Sequence, residues 1–238
     1  MSGHSKWSTI KRKKAKFDAA RGKVFTKVIR EITVAARDGG GDPGGNPRLR
    51  ELIEKAKSVN MPQDNITRAI KKGTGEIEGA QYEAVRYEGY GPDGAAIIIE
   101  SLTDNKNRTV SEVRLAFSKF GGKVAEAGAV GWMFEHKGVL VISAPGKNED
   151  ELLELFFDFD IEDMKEEEDH FSIICAPEDL EKIKHHATLS HLTIESAELE
   201  WVAKDPINVS EESEEKVYKL LEALEELDDV QNVYSNLT

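Results

Sequence analysis

From Gly22 onward the apolar positions fall at Val24, Phe25, Val28, Ile29, Ile32, Ala35 and Ala36, in steps of three and four, while Lys23, Lys27, Arg30 and Arg37 fall largely between them. This spacing predicts an amphipathic helix with a cationic face. It stops at "DGGGDPGGNP", where glycines and prolines cannot continue it. Asn46 then supplies a cap and Pro47 a residue suited to a first helical turn, with Leu49, Leu52, Ile53, Ala56 and Val59 as the apolar stripe of a second helix. "NMP" closes that helix, and Pro62 opens a third, in which Ile66, Ala69 and Ile70 share a face before Gly73 ends it. Helices this short are marginal alone, so the three should pack as one small bundle.

The period then changes. "YEAVRYEGY" alternates and "AAIIIES" is a β-branched run, and the two are joined through "GPDG", which predicts a hairpin. Val110, Val113, Phe117 and Phe120 are spaced for a helix that Gly121 and Gly122 stop, and "AVGWMF" reads as a strand beyond it. A second set follows: strand "GVLVIS", helix "EDELLELFFDF", strands "DIEDMKEE" and "DHFSIICA", helix "PEDLEKIKHHA" and strand "AELEWVA". The order strand, helix, strand, strand, helix, strand suits a ferredoxin-like sandwich.

After "KDPINVS", Val217, Leu220, Leu221, Leu224 and Leu227 stripe a last helix, and "VQNVYSN" forms a short strand. One helix and one strand make a poor domain, so the C-terminus is expected to return to the sheet begun at Tyr82. The predicted class is α+β with three domains: an N-terminal helical bundle followed by two α/β sandwich domains, the last inserted into the second. The expected boundaries are residues 1–78, then 79–135 with 206–238, and 136–205 for the insertion.

Charge sharpens this division. Residues 1–75 carry 18 basic and 7 acidic side chains, a net of 18 − 7 = +11, and the remainder carries 14 − 38 = −24. Asymmetry of this size predicts a polyanion-seeking end on a body that polyanions avoid. Lys6, Lys11, Arg12, Lys13, Lys14, Lys16, Arg21, Lys23, Lys27 and Arg30 could each neutralise a phosphate, and Trp7 and Phe17 are interleaved for stacking on bases. The competing reading is a solvated tail with Trp7 docked on the bundle.

"TDNKNRT" places Asp104, Asn105, Lys106, Asn107 and Arg108 where a strand hands over to a helix. It reads equally as a polar binding site or as helix capping by Asp104 or Asn105. The glycine-rich loop lacks GxxxxGK[ST] and a preceding strand, so it reads as punctuation rather than a phosphate cradle. His185, His186 and His191 show no familiar metal spacing and read as a solvated helix end. Cys175, the single cysteine, reads as a buried structural thiol suited to a reducing compartment. No catalytic constellation, metal site or cofactor motif stands out, and no apolar run approaches the roughly 20 residues that span a bilayer. No apolar core or cleavage site of a secretory signal follows the basic opening, and the entry into the basic run at Met1 favours a cytoplasmic protein over one led by an amphipathic organelle-targeting peptide; a monomer without a small-molecule substrate is also expected.

The blocks "GHSKWSTIKRKKAKFDAARGKVFTKVIREITVAARDGGGDPGGNPRLR", "NMPQDNITRAIKKG", "YEGYGPDGAAIIIESLTDNKNRTVSEVRLAFSKFGG" and "LEELDDVQNVY" closely resemble the YebC family, which includes the mitochondrial translational activator of cytochrome c oxidase. The resemblance is strongest over residues 3–135 and weak across the acidic insertion. It implies three domains, the first helical and the others α/β, and no enzyme activity. It implies two kinds of actor: DNA-binding transcriptional regulators, and factors that join the translating ribosome and relieve stalling at proline-rich stretches. Carried onto this chain, it implies nucleic-acid contact at His4, Lys6, Trp7, Lys11, Arg12, Lys13, Lys14, Arg21 and Lys23. A basic segment that orders on structured RNA fits this chain better than a groove-reading helix, so ribosomal RNA on the ribosome is the expected partner and duplex DNA the alternative.

Overall fold

The computed structural model describes residues 21–167 and 170–237. Three helices open the described chain: α1 (Arg21–Gly39), α2 (Pro47–Ser58) and α3 (Gln63–Gly73). Val28, Ile32, Ala35 and Ala36 of α1 close a buried core with Leu49, Leu52 and Ala56 of α2 and Ile66 and Ala69 of α3, as their spacing predicts. Asn46 caps α2, its side-chain oxygen accepting from Leu49 N at 3.1 Å, while its Nδ2 donates to the carbonyls of Ala35 at 2.8 Å and Gly40 at 2.9 Å. One amide therefore starts the second helix and ties it to the end of the first. The α1–α3 crossing is close because Gly73 has no side chain; a Cβ there would lie 2.3 Å from the Thr33 carbonyl oxygen.

The next layer is a sheet of four strands in the order β3-β1-β2-β8, with β1 (Glu83–Tyr90), β2 (Ala96–Thr103), β3 (Lys123–Ala125) and β8 (Val230–Ser235). Strands β1 and β2 form the expected antiparallel hairpin, in register from Tyr90 opposite Ala96 to Glu83 opposite Thr103. Its turn is a short 3-10 segment, Pro92–Gly94, with Asp93 at φ 53° and Gly94 at φ 81°. Asp93 Oδ2 accepts from Ser210 Oγ at 3.0 Å, joining the turn to the N-cap of helix α7 (Glu211–Glu225). Helix α4 (Lys106–Lys119) buries Thr109, Val113, Ala116 and Phe117. Val110 and Phe120, expected on that face, are only half-buried, and polar Thr109 takes a fully buried place.

The chain leaves this sheet after β3 and returns to it with α7 and β8, so the last domain is inserted into the second. The insertion holds β4 (Phe134–Ser143), α5 (Glu149–Leu155), β5 (Ile161–Glu167), β6 (His170–Cys175), α6 (Leu180–Leu189) and β7 (Thr193–Ala203). Its sheet runs β5-β6-β4-β7, all neighbours antiparallel, an order in which two crossover helices share one face. That face is the core: Leu140 and Ile142 of β4 and Phe171, Ile173 and Cys175 of β6 pack with Leu152 of α5, with Phe156 just past its end and with Leu180, Ile183 and Ala187 of α6. Burial there pushes the Cys175 thiol up to about 11.

Two expectations for local structure are corrected. Residues of "AVGWMF" do not form a separate strand: Gly131–Met133 is a 3-10 turn, closed by Met133 N donating to Val130 O at 2.9 Å, and Phe134 already begins β4. Helix α5 ends at Leu155 rather than running through "FFDF", because Phe157 N bonds back to the Glu154 carbonyl in a tighter turn.

By their contacts the described residues divide into two compact units, one formed by residues 21–129 with Val209–Val233, the other by Val130–Asn208 with residues 234–237. The helical bundle and the first sheet thus share a unit. Within it Gly89 faces α4, where a Cβ would lie 2.6 Å from the Phe117 ring. Gly89→Val should therefore destabilise the chain by about 1–3 kcal/mol through overpacking, read as a lower urea midpoint.

Candidate nucleic-acid interface and the buried carboxylate behind it

Of the side chains expected to meet nucleic acid, His4, Lys6, Trp7, Lys11, Arg12, Lys13, Lys14 and Lys16 lie outside the described residues, as does the side chain of Arg21. The other three, on α1, are placed against the chain's own C-terminal segment. Lys23 Nζ pairs with the Glu226 carboxylate and donates to the Glu226 carbonyl at 3.2 Å. One turn on, Lys27 Nζ donates to the Glu225 carbonyl at 3.1 Å. Both lysines thus meet the carbonyl end of α7, where the helix dipole favours positive charge.

Arg30 goes further inward. Its Nη1 lies 2.6 Å from Asp229 Oδ1 and also reaches the carbonyls of Asp228 at 2.6 Å and Leu102 at 3.0 Å. The residue is only 8 % exposed. Its expected role as a phosphate contact is corrected on this ground: periodicity placed Arg30 on the cationic face, but tertiary packing turns that position toward a carboxylate.

The same carboxylate organises the second predicted set. Asp229 is 1 % exposed, and Arg108 Nη2 approaches its two oxygens at 2.9 and 2.7 Å. Thr109 Oγ1 lies 2.6 Å and Thr103 Oγ1 3.1 Å from Asp229 Oδ2. Asn105 is the N-cap of α4, accepting from Arg108 N at 3.1 Å, so the capping reading of this segment is correct for Asn105. Asp104 pairs with Arg108 at 2.8 Å, and Lys106 pairs with Glu83 at 2.6 Å. Asn107 is exposed, and its carbonyl accepts from Ser111 Oγ at 2.7 Å.

Burial pushes the Asp229 carboxyl up, but hydrogen bonds from Thr109, Arg108 and Arg30 outweigh it and hold the group below the ordinary carboxylate range. The Arg108 guanidinium is correspondingly raised by its bonds to Asp229 and Asp104. The arrangement has two cations, one anion, two hydroxyls and no unpaired nucleophile, so its chemistry is cohesion rather than proton transfer. Among the described residues no group of three or more His, Cys, Asp or Glu side chains is placed to hold a metal. His186, expected at a solvated helix end, instead packs its ring on Phe156 and Phe159.

Exposed cations on the bundle include Arg48, Arg50 and Lys57 of α2 and Arg68, Lys71 and Lys72 of α3. The bundle and the two domains after it match known families in turn. Residues 5–76 match the family described as TACO1/YebC protein N-terminal domain, and residues 82–237 match TACO1/YebC second and third domain. The chain belongs to the TACO1/YebC family.

Relatives within the family are similar throughout. A protein of Desulfosudis oleivorans is 51% identical over 236 residues, 99% of this chain and 96% of the relative, and one of Chlorobaculum tepidum is 50% identical over 100% of this chain and 95% of the relative. Both carry the name "Probable transcriptional regulatory protein". A crystal structure of a conserved hypothetical protein from Aquifex aeolicus superposes with a TM-score of 0.88 at 49% identity, covering 98% of this chain and 97% of that one. The curated relatives are thus named as probable regulators of transcription.

Sequence reading missed Asp229, Thr103 and Thr109. The available signal for Asp229 was a charged pair, Asp228 and Asp229, between the apolar stripe of α7 and an apolar strand. Removing the carboxylate should strand Arg30 in the interior of this TACO1/YebC chain. Asp229→Asn is expected to cost roughly 3–5 kcal/mol at neutral pH, measured by urea unfolding. Because the folded pKa is depressed, this stabilisation is present above the unfolded value of about 3.9 and is lost as pH falls through the folded one. The gap between wild type and variant should therefore close in acid.

Proposed function

We propose that this chain is a non-enzymatic nucleic-acid-binding regulator of gene expression that acts on the translating ribosome through ribosomal RNA. It would ease passage through proline-rich stretches by positioning, with no chemistry of its own. The observation that carries this reading is the segregation of charge, +11 over residues 1–75 against −24 over the rest. Such a chain approaches a polyanion end-on, since its acidic body is repelled wherever the basic end does not fit. The contact set consists of the opening cations from Lys6 to Lys16, with Trp7 for stacking and His4 beside them. The exposed cations of α2 and α3 extend it. Lys23, Lys27 and Arg30 orient the bundle from behind.

A second reading, a DNA-binding transcriptional regulator, is favoured by the names of the curated relatives and by the four residues between Ser58 of α2 and Gln63 of α3. That spacing is compatible with a helix-turn-helix.

Binding of the intact chain, and of a chain lacking residues 1–20, to purified ribosomes and to mixed-sequence duplex DNA separates the two. If about five cations touch phosphates, log affinity should fall against log salt with a slope of roughly −3.5 to −4.5. Ribosome affinity should drop at least tenfold without residues 1–20 and should outlast DNA binding at physiological salt. Undiminished ribosome binding by the shortened chain would overturn the mechanism. Tight sequence-selective DNA binding without ribosome association would transfer the function to transcription.

A further inference from the structure

The inserted domain leaves a large aromatic side chain almost bare. On α5 and at its C-terminal end, Leu152 and Phe156 are buried in the core, yet their sequence neighbours Leu153 and Phe157 are 42 % and 84 % exposed. On α6, Leu189 is 64 % exposed. The ends of the two helices meet at His186, whose Nε2 lies 2.9 Å from the Leu155 carbonyl oxygen and whose ring centroid is 5.5 Å from that of Phe156. Phe157 lies two residues beyond Leu155, and Leu189 one turn beyond His186. Along the chain, the exposed Phe157 and Leu189 thus each follow a segment that meets the other at His186.

The α5 side of this junction is acidic, while α6 carries Lys182 and Lys184, paired with Asp179 and Glu181. Asp150, Glu154, Asp158 and Asp160 are exposed along the α5 side, and residues 136–205 carry 6 basic and 19 acidic side chains, a net of 6 − 19 = −13. A bare aromatic anchor flanked along the chain by carboxylates has the makeup of an interface hot spot with an electrostatically steering rim. The sign of the rim selects the partner, because it repels nucleic acid and anionic lipid and attracts Lys and Arg.

We propose that the α5–α6 junction is a docking surface for a basic polypeptide segment of another protein, with Phe157 and Leu189 receiving an apolar anchor and Glu154, Asp158 and Asp160 meeting the flanking cations. This does not depend on the nucleic-acid reading, since the surface lies on the acidic insertion and not on the basic bundle.

The probe is a fluorescently labelled amphipathic peptide built from Lys and Leu, titrated with the full-length chain and followed by anisotropy. Phe157→Ala should weaken binding at least tenfold, and Asp158→Asn with Asp160→Asn should weaken it and flatten its salt dependence. Leu115→Ala, which removes a side chain 70 % exposed on α4, should leave it unchanged. Circular dichroism of each variant checks that the fold is retained, as expected for side chains this exposed. Equal loss from Phe157→Ala and Leu115→Ala, or equal binding of a Glu and Leu peptide, would overturn the proposal. Phe157-dependent binding to anionic vesicles or an RNA oligonucleotide would also overturn it, as would a Phe157-dependent dimer in sedimentation, which would assign the surface to a second copy of the chain.

Discussion

Asp229 is the carboxylate on which the first compact unit depends. It lies just ahead of the C-terminal strand, accepts from an arginine of the opening helix and from an arginine and two threonines around α4, and is shielded from water. A buried anion is tolerable only when its lone pairs are filled and its charge is balanced, and here four side chains from separate stretches of chain do both. The cost of breaking such a set exceeds the net gain of forming it, so the set specifies one arrangement more than it adds stability.

This dependence explains where the cations of the opening helix go. Lys23 and Lys27 reach the carbonyl end of α7 while Arg30 passes beneath to Asp229, so the helix is held along its length by the segment that closes the chain. The chain cannot assemble this contact until its C-terminus has returned to the sheet. The insertion is correspondingly self-contained, with both helices on one sheet face and a core of its own.

Two surfaces of opposite character result. The helical bundle exposes Arg48, Arg50, Lys57, Arg68, Lys71 and Lys72, while the insertion exposes carboxylates around Phe157.

The element types were legible in the sequence because they follow from local rules. The steps of three and four in α1, the Asn46-Pro47 cap, the alternation before "GPDG" and the stripe of α7 each depend on residues within a turn or two of one another. Charge segregation was legible for the same reason, being a count along the chain. Local rules were insufficient where a residue's partner is distant. Arg30 satisfies the periodicity of an exposed cationic face and yet is buried, because its partner lies 199 positions away. Thr109 replaced Val110 on the buried face of α4 since a hydroxyl was needed for Asp229, and α5 stopped short because Phe156 had to turn into the core beside His186. By itself the sequence determined most of the helices and strands and which end of the chain carries the positive charge. Only the tertiary structure decided which of the cations are spent internally, because burial and ion pairing depend on residues brought together by the return of the chain.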